Sequence, residues 1–292
     1  MRIKYFVLIL LSLAIYSCIN SQTSNHQEPE VTNESLMFNE YDSNGMTIEY
    51  RYNPPEGFER VAATENSFAR FLRNLPLKRA DSEVTLYNGT IKHNYDVYSS
   101  VVDLEIGNKN LHQCADAVIR LRADYFRSIG KSNQIKFSFT NGFVCDYSNW
   151  MKGRNVIVSG NQVHWSTPGN SRVDNDENYW KYLEKVFTYA GTLSLSRELK
   201  KKSIHQLEIG DIFIQGGSPG HAIIIVDLVQ NPETNEKRFL LAQSYMPAQE
   251  IQILQNPNYT TSSWFSIPED GILKTPEWTF HIEDLMSFRT TP

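Results

Sequence analysis

Gly210-Asp-Ile-Phe-Ile-Gln215, Gly216-Gly-Ser-Pro-Gly220, His221 and Ala222-Ile-Ile-Ile-Val226 form the stretch on which the fold turns. It reads as two short apolar strands joined by a glycine-rich turn. The run from Ala222 to Val226 has no polar interruption and is rich in β-branched residues, which predicts a strand buried on both faces. A histidine at the start of such a strand has a rigid support yet can still reach solvent. That position suits a general base or a ligand, and the competing reading is a histidine that only caps the turn. The glycines let the backbone turn tightly beside His221. With no lysine and no helix after them, they do not make a phosphate loop.

Downstream, Asn231 to Lys237 is a turn and Arg238 to Tyr245 is the next strand, so the two form an antiparallel hairpin. That register places Gln243 near the His221 end. Glu250–Leu254, Trp264–Ile267 and Trp278–Ile282 supply further strands with aromatic anchors.

Upstream, Cys114, Val118, Leu121 and Tyr125 recur on one face of a helix that begins after Asn108. Arg120 and Asp124 are spaced to pair on its outside. Cys114 then lies in the first turn and points inward. Phe68, Phe71, Leu72 and Leu75 mark another helix, stopped by Pro76. Trp180, Leu183 and Phe187 mark a third, and Thr192 to Lys202 reads as a fourth that ends in lysines. Met46–Tyr52 alternates like a strand, Asn88-Gly89 closes a hairpin between Val84–Tyr87 and Thr90–His93, and Val97–Ile106 is a further strand. Together these predict an α+β fold with N-terminal helices packed on a C-terminal antiparallel β-sheet.

The start of the chain carries an address. Arg2 and Lys4 precede an apolar run from Ile3 to Ile15, and Ile15-Tyr-Ser-Cys18 ends it, as in a secretory signal peptide. The segment resembles a bacterial lipobox, which implies that Cys18 carries lipid and that the protein is anchored to a membrane in the cell envelope, periplasmic or surface-facing. Residues 19–35 are polar and read as a flexible tether, and residues 36–292 as one domain. The net charge of −5 and the lack of a basic run argue against a nucleic-acid partner.

Of three cysteines, Cys114 and Cys145 remain once Cys18 is set aside. In an oxidising envelope they are candidates for a disulfide. The histidines His93, His112, His164, His205, His221 and His281 show no metal-ligand spacing, so neither a metal nor another cofactor is expected. No Gly-x-Ser-x-Gly elbow suggests a serine nucleophile. Trp165 and Trp264 are candidates for stacking on sugar rings or for the core.

A cysteine in the first helical turn sits near free backbone N–H groups and the positive end of the macrodipole, and both favour the thiolate. An imidazole on a strand can take its proton, and a polar side chain one strand over, Gln243, can orient that imidazole. Gln113, just before the cysteine, is a candidate donor to an oxyanion, or simply an exposed polar residue. The order of Cys114 on a helix, His221 on a strand and Gln243 on the next strand resembles papain-like cysteine peptidases of the NlpC and CHAP kind. Gly210-Asp211 and Gly220-His221-Ala222-Ile223 resemble their motifs around the histidine. The resemblance implies a papain-like arrangement and a thiol hydrolase acting on amides such as peptidoglycan stem peptides. Leu111–Tyr125, Tyr189–Leu195, Phe213–Ala222 and Leu241–Gln249 resemble the bacterial lipoprotein family catalogued as domain of unknown function 4846. That likeness implies one envelope domain and no particular activity. The alternative is a non-catalytic lipoprotein that binds glycan or a protein partner.

Overall fold

The strand His221–Gln230 is the axis of the structure, a computed structural model that describes residues 40–259 and 261–289. The signal peptide, Cys18 and the tether lie outside the described residues. Every residue of the axial strand from His221 to Val229 is buried. Ile212–Gln215 pairs along one edge, with Gln215 opposite His221, and Lys237–Gln243 along the other, with Ala242 opposite Ile224. All pairings are antiparallel. The sheet continues to Gln252–Leu254 and Tyr98–Val101 on one side, and to Leu285–Ser287 and Lys200–Lys201 on the other.

The unbroken apolar run has a direct cause in packing. Ala222, Ile224 and Val226 enter one core beneath the helices, with Val118, Leu121, Leu183 and Val186. Ile223, Ile225 and Leu228 enter a second core on the opposite face, with Phe213, Phe239, Phe265 and Phe280. A strand covered on both sides gains nothing from alternation. The register shifts between Leu240 and Leu241, which pair with Asp227 and Ile225 and leave Val226 as the bulged residue. The bulge turns Asp227 toward the helical face. There its carboxylate meets Arg73 at 2.7 Å and Arg60 at 2.9 Å.

Among the described residues Cys114–Ser128 is the longest helix, and it packs against the axial strand. Its N-cap is Gln113, whose backbone N–H donates to Asp116 Oδ2 at 3.0 Å. Arg120 and Asp124 pair at 2.7 Å, as the spacing predicts. Phe68–Arg73 is capped by Ser67 and Asp176–Tyr189 by Asn175, each side chain accepting a backbone N–H of the first turn.

The broad expectation of helices with a large antiparallel sheet matches the structure, but the division into helical first part and sheet second part does not. The sheet recruits Glu59–Arg60, Tyr98–Val101 and Lys200–Lys201 from earlier in the chain. Met46–Tyr52 is not a strand: Ile48–Arg51 is a helical turn that buries Ile48, Arg51 and Tyr52 together. The buried Arg51 guanidinium has backbone acceptors in Gly45 and Lys78, which outweigh the alternating pattern. The helix from Thr192 stops at Glu198, and Lys200–Lys201 then forms an edge strand against Met286 and Ser287. Lysines on an edge discourage further strand pairing, so they serve the sheet and not a helix end. The Asn88-Gly89 turn closes on a bridge between Thr85 and Ile91.

Candidate functional site

The glycine turn fixes where His221 stands. A Cβ on Gly220 would lie 2.5 Å from Thr192 Oγ1 and 2.6 Å from the Gly217 carbonyl, and one on Gly216 would lie 2.3 Å from Ser196 Oγ. Only glycine lets the turn seat this closely on the Thr192–Glu198 helix. Thr192 Oγ1 donates to the Gly217 carbonyl at 3.2 Å and accepts its N–H at 3.3 Å. Asp211, at the start of the preceding strand, accepts from the Glu208 backbone N–H and pairs with Lys202, so its part is structural.

Cys114 opens the long helix at this same end of the sheet. Backbone N–H groups of Ala115, Ala222 and Cys114 itself are directed at the sulfur and favour its ionised form. Ala222 is the residue next to His221. The opposing influences are larger: burial first, then the nearby Asp116 carboxylate, push the thiol up to about 11. The expected lowering by the helix N-terminus is therefore overridden by desolvation. Among the described residues, the thiol has no hydrogen bond to the imidazole.

His221 is 1 % exposed, and its ring is packed edge-on against Tyr245 at 4.8 Å, with Trp278 at 5.4 Å and Phe280 at 5.9 Å. Its Nε2 lies 2.8 Å from Gln243 Oε1. Burial first, and then Lys92, lower the imidazole pKa to about 4 against the opposing effect of Gln243. Tyr245 also lies within electrostatic range of Cys114, so thiol and imidazole share it as a neighbour. The structure thus brings Cys114, His221 and Gln243 to one end of the sheet, with thiol and imidazole both held neutral near pH 7.

Two residues that the sequence reading missed complete the group. Gln243 Nε2 donates to Glu277 Oε2 at 2.7 Å, and Lys92 Nζ donates to the same oxygen at 2.6 Å. Glu277 stands in the turn between Ile272–Lys274 and Thr279–His281, which also delivers Trp278 to the histidine. Lys92 is held by its own N–H to the Val84 carbonyl, in the Asn-Gly hairpin. The only sequence signal for either was its hairpin. A polar residue in a turn does not announce what it will face.

Gln113 does not reach toward the sulfur: its Nε2 donates to Asn110. Cys114 and Cys145 are both free thiols, which removes the disulfide reading. Cys145 is wholly buried, and burial pushes it up to about 12. Trp264 is a core residue whose Nε1 donates to the Asn53 carbonyl, and Trp165 packs against Phe143. Among the described residues no cluster of His, Cys, Asp and Glu is arranged to hold a metal ion, and no helix is long and apolar enough to cross a membrane. A groove of about 1310 Å³ lies elsewhere, between the helices that carry Phe71, Arg120, Asp124 and Trp180.

The chain belongs to the family described as domain of unknown function (4846), whose model matches residues 48–287. No curated protein and no solved structure matches it.

Proposed function

We propose that this protein is a cell-envelope lipoprotein, anchored to a membrane through lipid on Cys18, whose domain is a papain-like thiol hydrolase of amide bonds. Cys114 is the nucleophile, His221 the general base and Gln243 the group that orients it. The observation that carries this reading is the 2.8 Å contact between His221 Nε2 and Gln243 Oε1, beside a sulfur that the Ala222 N–H also addresses. In the reaction the imidazole takes the thiol proton as sulfur attacks the carbonyl carbon. The C–N bond then breaks as the imidazole returns that proton to the leaving amine, and water hydrolyses the thioester. Backbone N–H groups at the helix start offer hydrogen bonds to the oxyanion. The envelope address is what favours a peptidoglycan stem peptide as the substrate.

The decisive assay follows release of amines from stem peptides by the purified protein. Cleavage that falls by about 10³-fold or more in Cys114→Ala and His221→Ala alike supports the enzyme. Cleavage unchanged by either variant removes it. A thiol at about 11 and an imidazole at about 4 favour a second reading, a non-catalytic lipoprotein that binds glycan or a protein partner on the same scaffold. Binding of peptidoglycan fragments that survives in both variants without turnover supports that one.

A further inference from the structure

The side chains beyond Gln243 determine which nitrogen of His221 carries the proton. A glutamine amide can present either its oxygen or its nitrogen, and only its partners decide. Glu277 decides here. Its carboxylate, when ionised, can only accept, and Lys92 Nζ donates to the same oxygen at 2.6 Å. Were Gln243 reversed, its oxygen would stand 2.7 Å from Glu277 Oε2, two acceptors in contact. The amide therefore turns its NH2 to Glu277 and its oxygen to His221, and the imidazole Nε2, 2.8 Å away, must be the donor. Burial supports the order of the chain: the side chains of Lys92 and Glu277 are 8 % and 14 % exposed, and His221 and Gln243 are each 1 % exposed. The Lys92 ammonium also sits 5.7 Å from the Tyr245 ring centroid, against the same histidine.

We propose that Glu277 and Lys92 are positioning residues that lock His221 as the Nε2–H tautomer and so leave the Nδ1 lone pair free for the Cys114 proton. The role given to Nδ1 rests on the thiol-hydrolase reading; the direction of the hydrogen bonds does not. A reversed amide would put the imidazole proton on Nδ1 and leave the ring without a basic atom there. Lys92, Glu277 and Gln243 thus act through the histidine and touch no reacting atom.

Ring ¹⁵N–¹H correlation spectra of the full chain, labelled at histidine and assigned with His221→Asn, read the tautomer directly. The wild type should show Nε2 protonated and Nδ1 unprotonated at pH 7. The paired replacement Lys92→Met with Glu277→Leu removes both charges together, which spares the fold an unpaired buried ion. It should lose the single-tautomer pattern and give averaged ring shifts. Glu277→Gln, which can still offer an oxygen to both Lys92 and Gln243, should restore the wild-type pattern. A wild-type His221 protonated on Nδ1 overturns the proposal, as does a single Nε2–H tautomer in the double variant. Neither outcome depends on turnover. A locked tautomer with no amide cleavage leaves the lock standing and removes the hydrolase, and cleavage with Nδ1 protonated does the reverse.

Discussion

Sulfur and imidazole at this site are both held in their neutral forms, for a shared reason. Each is packed away from water, and the partners that favour charge are outweighed. For Cys114 the helix start and three N–H groups oppose burial and Asp116, and the thiol still stands at about 11. On the order of 10⁻⁴ of it is then ionised at pH 7. Alkylation of Cys114 by a small reagent should accordingly rise about tenfold per pH unit through neutrality, with no plateau near pH 7. Asp116 adds a second test. Burial raises its own pKa to about 8, so its charge, and with it the repulsion on the thiolate, is present only above that pH. Asp116→Asn should speed labelling at pH 9 to 10, and the advantage should fade as pH falls through about 8. A rate already flat between pH 6 and 8 would contradict this picture. So would an Asp116→Asn advantage independent of pH. Cys145, buried in the core, provides the unreactive comparison.

At the scale of elements, the glycine turn and the Thr192–Glu198 helix function as one part. Gly220→Ala would place a methyl group 2.5 Å from Thr192 Oγ1 and within 2.8 Å of the Gln215 carbonyl. Overpacking of this kind costs about 1–3 kcal/mol, and the strain falls on the residue next to His221. Gly191→Ala, at the start of the same helix, meets nothing within 4 Å and has an extended backbone, so its midpoint should be unchanged. Urea denaturation of the pair checks this, and equal stability of the two variants would argue that the turn is not tightly seated. These elements were largely legible in the sequence. The long helix, the doubly buried strand and the Gln243 strand each announce themselves by a hydrophobic period, and Gly220-His221 by the need for a tight turn. Ile48–Arg51 was not legible, because one helical turn and one alternating strand fit the same seven residues. Its outcome rests on acceptors for Arg51 supplied from outside the segment. Lys92 and Glu277 were hidden for a related reason. Neither lies on a periodic face, and their meaning exists only after Gln243 has been brought between Glu277 and His221.

Across the whole molecule, the axial strand gathers what the rest of the chain delivers: Lys92 and Cys114 from before it, Gln243 and Glu277 from after it. Its far end is anchored in the same way. Asp227, fully buried, joins Arg73 across 154 residues of chain and Arg60 across 167, and also accepts the Leu228 N–H. These contacts tie the early segment, which supplies Glu59–Arg60 and the Phe68–Arg73 helix, to the strand that ends at the candidate site. Removing the acid leaves a guanidinium that is 3 % exposed without its counter-charge. Breaking a buried pair from one side costs about 3–5 kcal/mol, because the remaining charge stays out of water. Asp227→Ala should therefore lower stability by about that amount in a single transition of unchanged denaturant slope, since the surface exposed on unfolding is the same. Asp227→Asn, which keeps an acceptor but no charge, should fall between. Arg79→Ala, at an exposed pair with Asp81, should leave the midpoint where it was. If Asp227→Ala instead unfolds in two steps, with Phe68–Arg73 and its neighbours lost first, the early segment is an appendage. In that case its strand is not integral to the sheet, and the site at the other end would survive its loss.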